Sequence, residues 1–101
     1  MHKTLCLVAL LLAASAAHAL SDSEKEALKS AAEQAYQQQD YATAREKWQT
    51  LAEAGDADAQ LHLGALYADG RGVTQDYSKA CKWYEKAAVQ GNIFAANNLA
   101  L

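Results

Sequence analysis

The stretch Leu63–Gly91 reads LGALYADGRGVTQDYSKACKWYEKAAVQG and contains a short loop with two glycines, Gly70 and Gly72. A phosphate-binding loop of the Walker type would continue with Lys-Ser or Lys-Thr at the start of the next helix. Here Thr74-Gln-Asp-Tyr follows, and the carboxylate of Asp76 would repel a phosphate. The two glycines therefore predict positive φ angles in a sharp turn between two helices.

The same stretch matches the chain itself at an offset of 36 residues, since Asp76 − Asp40 and Gly91 − Gly55 give the same difference. Trp48 also falls opposite Tyr84, an aromatic residue opposite an aromatic residue. Chance could align alanines, but it does not readily align these larger residues at one offset, so we predict an internal repeat. The identical pairs are Gln39/Gln75, Asp40/Asp76, Tyr41/Tyr77, Ala44/Ala80, Ala52/Ala88, Gly55/Gly91, Ala59/Ala95 and Leu63/Leu99.

The repeat unit is expected to be a pair of helices. The chain contains no proline, and its Val, Ile and Thr residues are scattered without the alternation of strands. We predict helices over about 23–38, 41–54, 57–68 and 76–90, and a fifth that begins after Asn92. The expected fold class is all-α: a short right-handed superhelix (solenoid) of helix hairpins, in which each hairpin is stabilised by stacking on its neighbour.

The first nineteen residues, MHKTLCLVALLLAASAAHA, have the layout of a secretory signal peptide. A short basic start at Lys3 precedes an apolar run, and Ala17-His18-Ala19 matches the small-residue pattern of a cleavage site. A membrane anchor is the alternative, but the run is too short for a hydrocarbon core of about 30 Å. Cys6 lies at the start of the apolar run, just after Lys3-Thr4-Leu5, whereas a lipidated cysteine follows such a run, so a lipoprotein is not expected. Residues 1–19 are therefore predicted to be cleaved, and the mature chain to be periplasmic or secreted.

Charge and cysteine content exclude several classes of protein. The net charge is −3, and removal of Lys3 with the leader makes it −4. An acidic chain without a basic cluster is not expected to bind nucleic acid, or membrane except through an uncleaved leader. The mature chain keeps one cysteine, Cys81, and one histidine, His62. An internal disulfide is then impossible and a zinc site improbable, because zinc needs three or four ligands. No metal or other cofactor is expected.

The second hairpin resembles one unit of the Sel-one-like repeats, on the pattern LGxxYxxGxGVxxDYxxAxxWYxxAAxxG from Leu63 to Gly91. These repeats are α/α hairpins of about 36 residues, related to tetratricopeptide repeats. Gly64 lies in mid-helix at a cost of about 1 kcal/mol relative to alanine, and is expected to let another backbone approach closely. The structural motif consists of Gly55, Leu63, Gly64, Tyr67, Gly70, Gly72, Asp76, Tyr77, Ala80, Tyr84, Ala88 and Gly91.

The resemblance divides the mature chain into three parts. Residues 55–90 correspond to a Sel-one-like repeat and residues 91–101 to the first helix of a further, truncated repeat. Residues 20–54 look more like an ordinary tetratricopeptide hairpin, because the spacing of Tyr36 and Tyr41 is five residues shorter than that of Tyr67 and Tyr77. The last helix exposes an apolar face that includes Phe94. Three explanations stay open: the chain is a fragment, two copies pair through this end, or another protein completes the repeat.

The resemblance implies an adaptor of the bacterial periplasm or cell envelope, which binds other proteins and has no catalytic activity. Two alternatives are an envelope protein that binds peptidoglycan or polysaccharide, and a small secreted hydrolase. The hydrolase is disfavoured because His62 has no serine or cysteine partner in a nucleophile motif. The binding groove is expected between the first helices of successive pairs. The candidate partner-binding residues are Gln60, His62, Trp83, Ala95, Asn97 and Asn98.

Most of the aromatic residues, and Cys81, are expected to pack inside the fold. Trp48, Tyr67, Tyr77 and Tyr84 are expected to pack between hairpins and not to form an aromatic cage, while Trp83 is expected nearer the surface. Cys81 is expected to be a small buried residue; the alternative is an intermolecular disulfide that joins two copies.

Overall fold

The computed structural model describes residues 20–100, so the predicted signal peptide lies outside the described residues. Those residues contain five helices and no strand, which confirms the all-α prediction. Each helix packs on the next one along the chain. The helices are α1 (Asp22–Gln37), α2 (Tyr41–Glu53), α3 (Ala57–Asp69), α4 (Tyr77–Val89) and α5 (Ile93–Ala100).

The helix starts follow the repeat. Asp40 and Asp76, which lie 36 residues apart, each accept a hydrogen bond from the backbone N–H three residues on, at Thr43 and Lys79. Asp56 and Asn92 have the same separation and cap α3 and α5 in the same way. An N-cap of this kind satisfies an amide that has no partner inside the helix, and typically contributes about 1 kcal/mol. The 36-residue repeat therefore includes the N-cap residues of the helices as well as the core residues.

The start of α1 has a capping box. The Ser21 hydroxyl accepts from the backbone N–H of Glu24, and the Glu24 carboxylate accepts from the backbone N–H of Ser21. This reciprocal pair satisfies two amides at once at the start of α1.

The core is built from alanines around a few large side chains. Leu51, Leu63 and Leu66 are fully buried, and Trp48 is 5% exposed. Small alanines let the helices approach, because they fill little volume between backbones. One cluster of buried residues joins α1, α2 and α3, and a second joins α4 to α5. Tyr67 packs against both clusters and so connects them.

Gly64 marks the closest approach of α3 and α4. A Cβ atom at this position would lie 2.7 Å from the ring of Tyr84 and 3.2 Å from the carbonyl oxygen of Ala80. The sequence predicted a close approach of another backbone here. The structure shows that the main neighbour is an aromatic side chain, Tyr84, which is 8% exposed.

Two expectations from the sequence are corrected by the structure. Tyr77 is 66% exposed and is not a packing residue; its hydroxyl accepts a hydrogen bond from Gln75. Cys81 is exposed and not buried. Both residues share α4 with the buried Tyr84, but they lie on its solvent side. None of the helices among residues 20–100 is both apolar and long enough to cross a membrane.

Candidate functional site

A groove of about 290 Å³ lies between α1 and α3, above a side chain from α2. We call it the α1–α3 groove. Since α1 and α3 are the first helices of successive hairpins, neither hairpin forms this concave surface alone. Its lining residues are Glu33, Tyr36 and Gln37 on α1, Trp48 on α2, and His62, Ala65, Leu66 and Asp69 on α3.

Aromatic rings form the wall and floor of the groove. The Trp48 indole stacks on the imidazole of His62, with ring centroids 4.6 Å apart and an interplanar angle of 21°. Tyr36 tilts against the same indole at 5.6 Å. Stacked and tilted pairs at these distances are favourable beyond the area that they bury. Side chains from three helices are thereby held in one arrangement before any partner binds.

The loop between α3 and α4, residues 70–76, is called the glycine loop here, and it contacts a residue of the groove lining. Arg71 donates a hydrogen bond from Nη1 to the Tyr36 hydroxyl at 2.9 Å, and its guanidinium lies 5.4 Å from the centre of the Tyr41 ring. The neighbouring Gly72 packs so closely that a Cβ would lie 2.6 Å from the Tyr41 backbone. The loop therefore docks onto the first hairpin, and this contact fixes the position of Tyr36 in the groove.

The lining of the groove is acidic, and one cation, the Arg71 guanidinium, lies next to it on the Tyr36 hydroxyl. Two carboxylates, Glu33 and Asp69, are among the described lining residues, and no lysine or arginine is among them. Burial of the His62 ring lowers its pKa from the ordinary value of 6.5, whereas the carboxylates of Asp58 and Glu33 act in the opposite direction. A lowered pKa favours the neutral form of the His62 imidazole, which does not cancel the carboxylates. An aromatic floor beside two carboxylates favours a cationic or amphipathic side chain.

The structure places two of the predicted partner-binding residues inside the protein. Gln60 is 4% exposed: its Nε2 donates to the carbonyl of Ala52, and its Oε1 accepts from Gln90. It therefore ties α3 to the ends of α2 and α4. Ala95 is fully buried against α4. Because neither side chain can reach a partner, these two assignments are corrected to structural roles.

The other predicted residues are distributed over different surfaces. His62 lines the α1–α3 groove. Asn97 and Asn98 are exposed on α5, outside that lining. A side-chain hydrogen bond with Asn98 partly offsets the rise in the pKa of Tyr84 that burial and Asp69 cause. Trp83 is half-buried on α4 and packs against the core cluster of α1 to α3.

Sequence reasoning missed the residues on α1. Glu33 and Tyr36 line the groove, but the expected surface was assigned to α3 and α5. The signal that could have found them is the spacing of Glu33, Tyr36 and Gln37 at i, i+3 and i+4, which places them on one face of α1. First helices do line the groove, but they are α1 and α3 and not α3 and α5.

The side chains that line the α1–α3 groove are of the kinds that bind other side chains. Within residues 20–100 no group of three His, Cys, Asp or Glu side chains is placed to hold a metal ion. Aromatic faces, a neutral imidazole and two carboxylates can instead bind a side chain by stacking, hydrogen bonding and charge.

Comparison with known families finds a match over residues 57–92, which span α3, the glycine loop and α4. The matching family model is that of the Sel1 repeat. This is the family expected from the Leu63–Gly91 pattern, and α1 and α2 lie outside the matched range. Sel1 repeats generally mediate protein–protein interactions and are not catalytic units. No solved structure matches the chain.

The Sel1 repeat supplies one wall of the groove. His62, Ala65, Leu66 and Asp69 belong to it, whereas the opposite wall comes from α1. The repeat also supplies the glycine loop that holds Tyr36 through Arg71. The Sel1 repeat and the hairpin before it are therefore both needed to build the surface.

Proposed function

We propose that this chain is a non-catalytic adaptor that holds a segment of a partner protein in the α1–α3 groove. The observation that carries the proposal is the groove itself, since it combines concave shape, the Trp48–His62 stack and two carboxylates between successive hairpins. The interaction role of Sel1 repeats supports it. The partner segment would place a lysine or arginine near Glu33 and Asp69, with apolar atoms over Trp48.

We further propose that the helices form a short right-handed solenoid that works in the periplasm or cell envelope. The recurrence of caps and core residues at 36-residue spacing supports the solenoid. The leader pattern of residues 1–19 supports export. In an oxidising compartment the exposed thiol of Cys81 would be able to form a disulfide with a second copy.

Site-specific photo-cross-linking tests this function. A benzophenone amino acid at Gln37, on the rim of the groove, is expected to capture a protein in the envelope fraction of cells. The matched control carries the same group at Glu46, an exposed position of α2 outside the groove lining, and is expected to capture none. In the Gln37 background, Glu33→Lys with Asp69→Lys should reduce capture about tenfold or more, because it replaces attraction with repulsion.

Two results would contradict the proposal. Equal capture from Gln37 and Glu46 would show that the groove is not the contact surface. Unchanged capture in the Glu33→Lys, Asp69→Lys variant would show that these two carboxylates do not contribute to binding of the partner. A captured protein found only in the cytoplasmic fraction would refute the envelope location and leave the groove assignment standing.

A further inference from the structure

A second concave surface lies on the outer side of α4 and is distinct from the α1–α3 groove. Its volume is about 400 Å³, and the two surfaces share no lining residue. We call it the α4 basic face. It is lined by Gln49, Tyr67, Lys79, Lys82, Trp83, Glu85 and Lys86.

The charge of this face is opposite to that of the whole chain. Three lysines line it against one carboxylate, that of Glu85, whereas the chain has 12 acidic and 9 basic residues. Lys79, Lys82 and Lys86 recur at i, i+3 and i+7, which places them along one side of α4. No run of basic residues marks this face in the sequence, because other residues separate the three lysines and only the helix brings them together.

The three ammonium groups are available to an anionic ligand. Among residues 20–100 both ion pairs belong to Lys29, with Glu26 and with Asp56. Lys79 lies 5.5 Å from the centre of the Tyr67 ring, and Lys86 lies 4.6 Å from that of Trp83. A cation held over a ring keeps N–H donors for a carboxylate, and the ring limits the side-chain freedom that binding would remove.

Two other classes of ligand fit this surface less well. Sugar rings would stack on Trp83, but its indole packs against the core cluster of α1 to α3 and carries the Lys86 ammonium. Nucleic acid would meet three lysines without an arginine on a chain of net charge −3, which is a weak match for a phosphate polymer. Carboxylates at helical spacing match the three lysines directly.

We propose that the α4 basic face binds an acidic segment of a second partner protein, with carboxylates that pair with Lys79, Lys82 and Lys86. With a cationic segment in the α1–α3 groove, one chain would hold two proteins of opposite local charge. The second surface does not depend on the first, because no lining residue is common to both.

The test uses the mature chain and a fluorescent, capped helical peptide of roughly 16 residues with glutamates at i, i+3 and i+7. We expect saturable binding that weakens as salt is added, and that is lost when the glutamates are glutamines. Lys82→Glu should weaken binding about fivefold, and Lys79→Gln with Lys82→Gln and Lys86→Gln by about 30-fold or more. The control Lys25→Glu, on α1, changes the net charge by the same amount as Lys82→Glu. It should weaken binding of the peptide by less than about twofold.

Circular dichroism of each variant checks that the helices are intact; Lys79, Lys82 and Lys86 are exposed and Lys25 is half-buried. Equal affinity for the glutamine peptide, or equal weakening by Lys25→Glu, would overturn the proposal. Tighter binding of a single-stranded oligonucleotide of the same charge would also overturn it in favour of a general polyanion surface. Binding of peptidoglycan fragments that is lost on Trp83→Ala would assign the face to sugars. Glu33→Lys is expected to leave this peptide's binding intact, because Glu33 does not line the α4 basic face, so failure here is distinct from failure of the groove.

Discussion

Replacement of Gly72 by alanine is expected to lower the free energy of unfolding by about 3 kcal/mol. Gly72 has φ +72°, in the left-handed region that disfavours a Cβ atom. The added Cβ would also lie 2.6 Å from the carbonyl carbon and oxygen of Tyr41. Backbone atoms at the start of a helix cannot rotate away, so the glycine loop would have to leave α2.

Gly91→Ala is the matched control. Gly91 also has a positive φ, +94°, but a Cβ there would meet nothing within 4 Å. The control therefore measures the backbone strain alone, about 1–2 kcal/mol. Urea unfolding followed by circular dichroism gives both values. If Gly72→Ala costs no more than Gly91→Ala, the loop does not dock on the first hairpin, and the position of Arg71 beside Tyr36 is wrong.

Replacement of Trp48 by alanine is expected to cost about 3–5 kcal/mol, because it empties the largest side-chain volume between the two hairpins. Trp48 is 5% exposed and touches rings from two other helices, Tyr36 and His62. A domain of this size has a total stability of about 5–15 kcal/mol, so the variant should be partly unfolded near 37 °C. Thermal unfolding followed by circular dichroism measures the loss.

The second tryptophan provides the comparison. Trp83 is half-buried at the edge of the same core cluster, and Trp83→Ala is expected to cost about 1–2 kcal/mol. Because both variants replace tryptophan by alanine, the difference between their losses of stability reports how deeply each ring is buried. Equal losses would indicate that Trp48 is not enclosed between stacked hairpins.

The helices and their order could be predicted from the sequence, because the signals for them are local. Caps such as Asp40 and Asp76, and glycines such as Gly91, act within a few residues of their own position. The short turn before α2 shows the limit of this reasoning. Gln39 adopts φ +63° there, although glutamine, unlike glycine or asparagine, gives no sequence signal for a left-handed conformation.

The candidate site was harder to predict because it depends on contacts between distant residues. Arg71 and Tyr36 lie 35 residues apart, and Gln60 and Gln90 lie 30 apart. A polar residue in a helix gives the same pattern whether it faces a partner or a neighbouring helix. Gln60 was therefore assigned to a binding surface, although its amide is used to join three helices.

The central claim is that stacked hairpins bring Trp48 and His62 together to form the groove, and proton NMR of His62 tests it most directly. We expect nuclear Overhauser contacts between the His62 imidazole and the Trp48 indole, whose ring centres lie 4.6 Å apart. We also expect a titration midpoint below 6.5, because burial of the ring lowers the pKa of His62. Absence of these contacts, together with a midpoint at or above 6.5, would contradict the account.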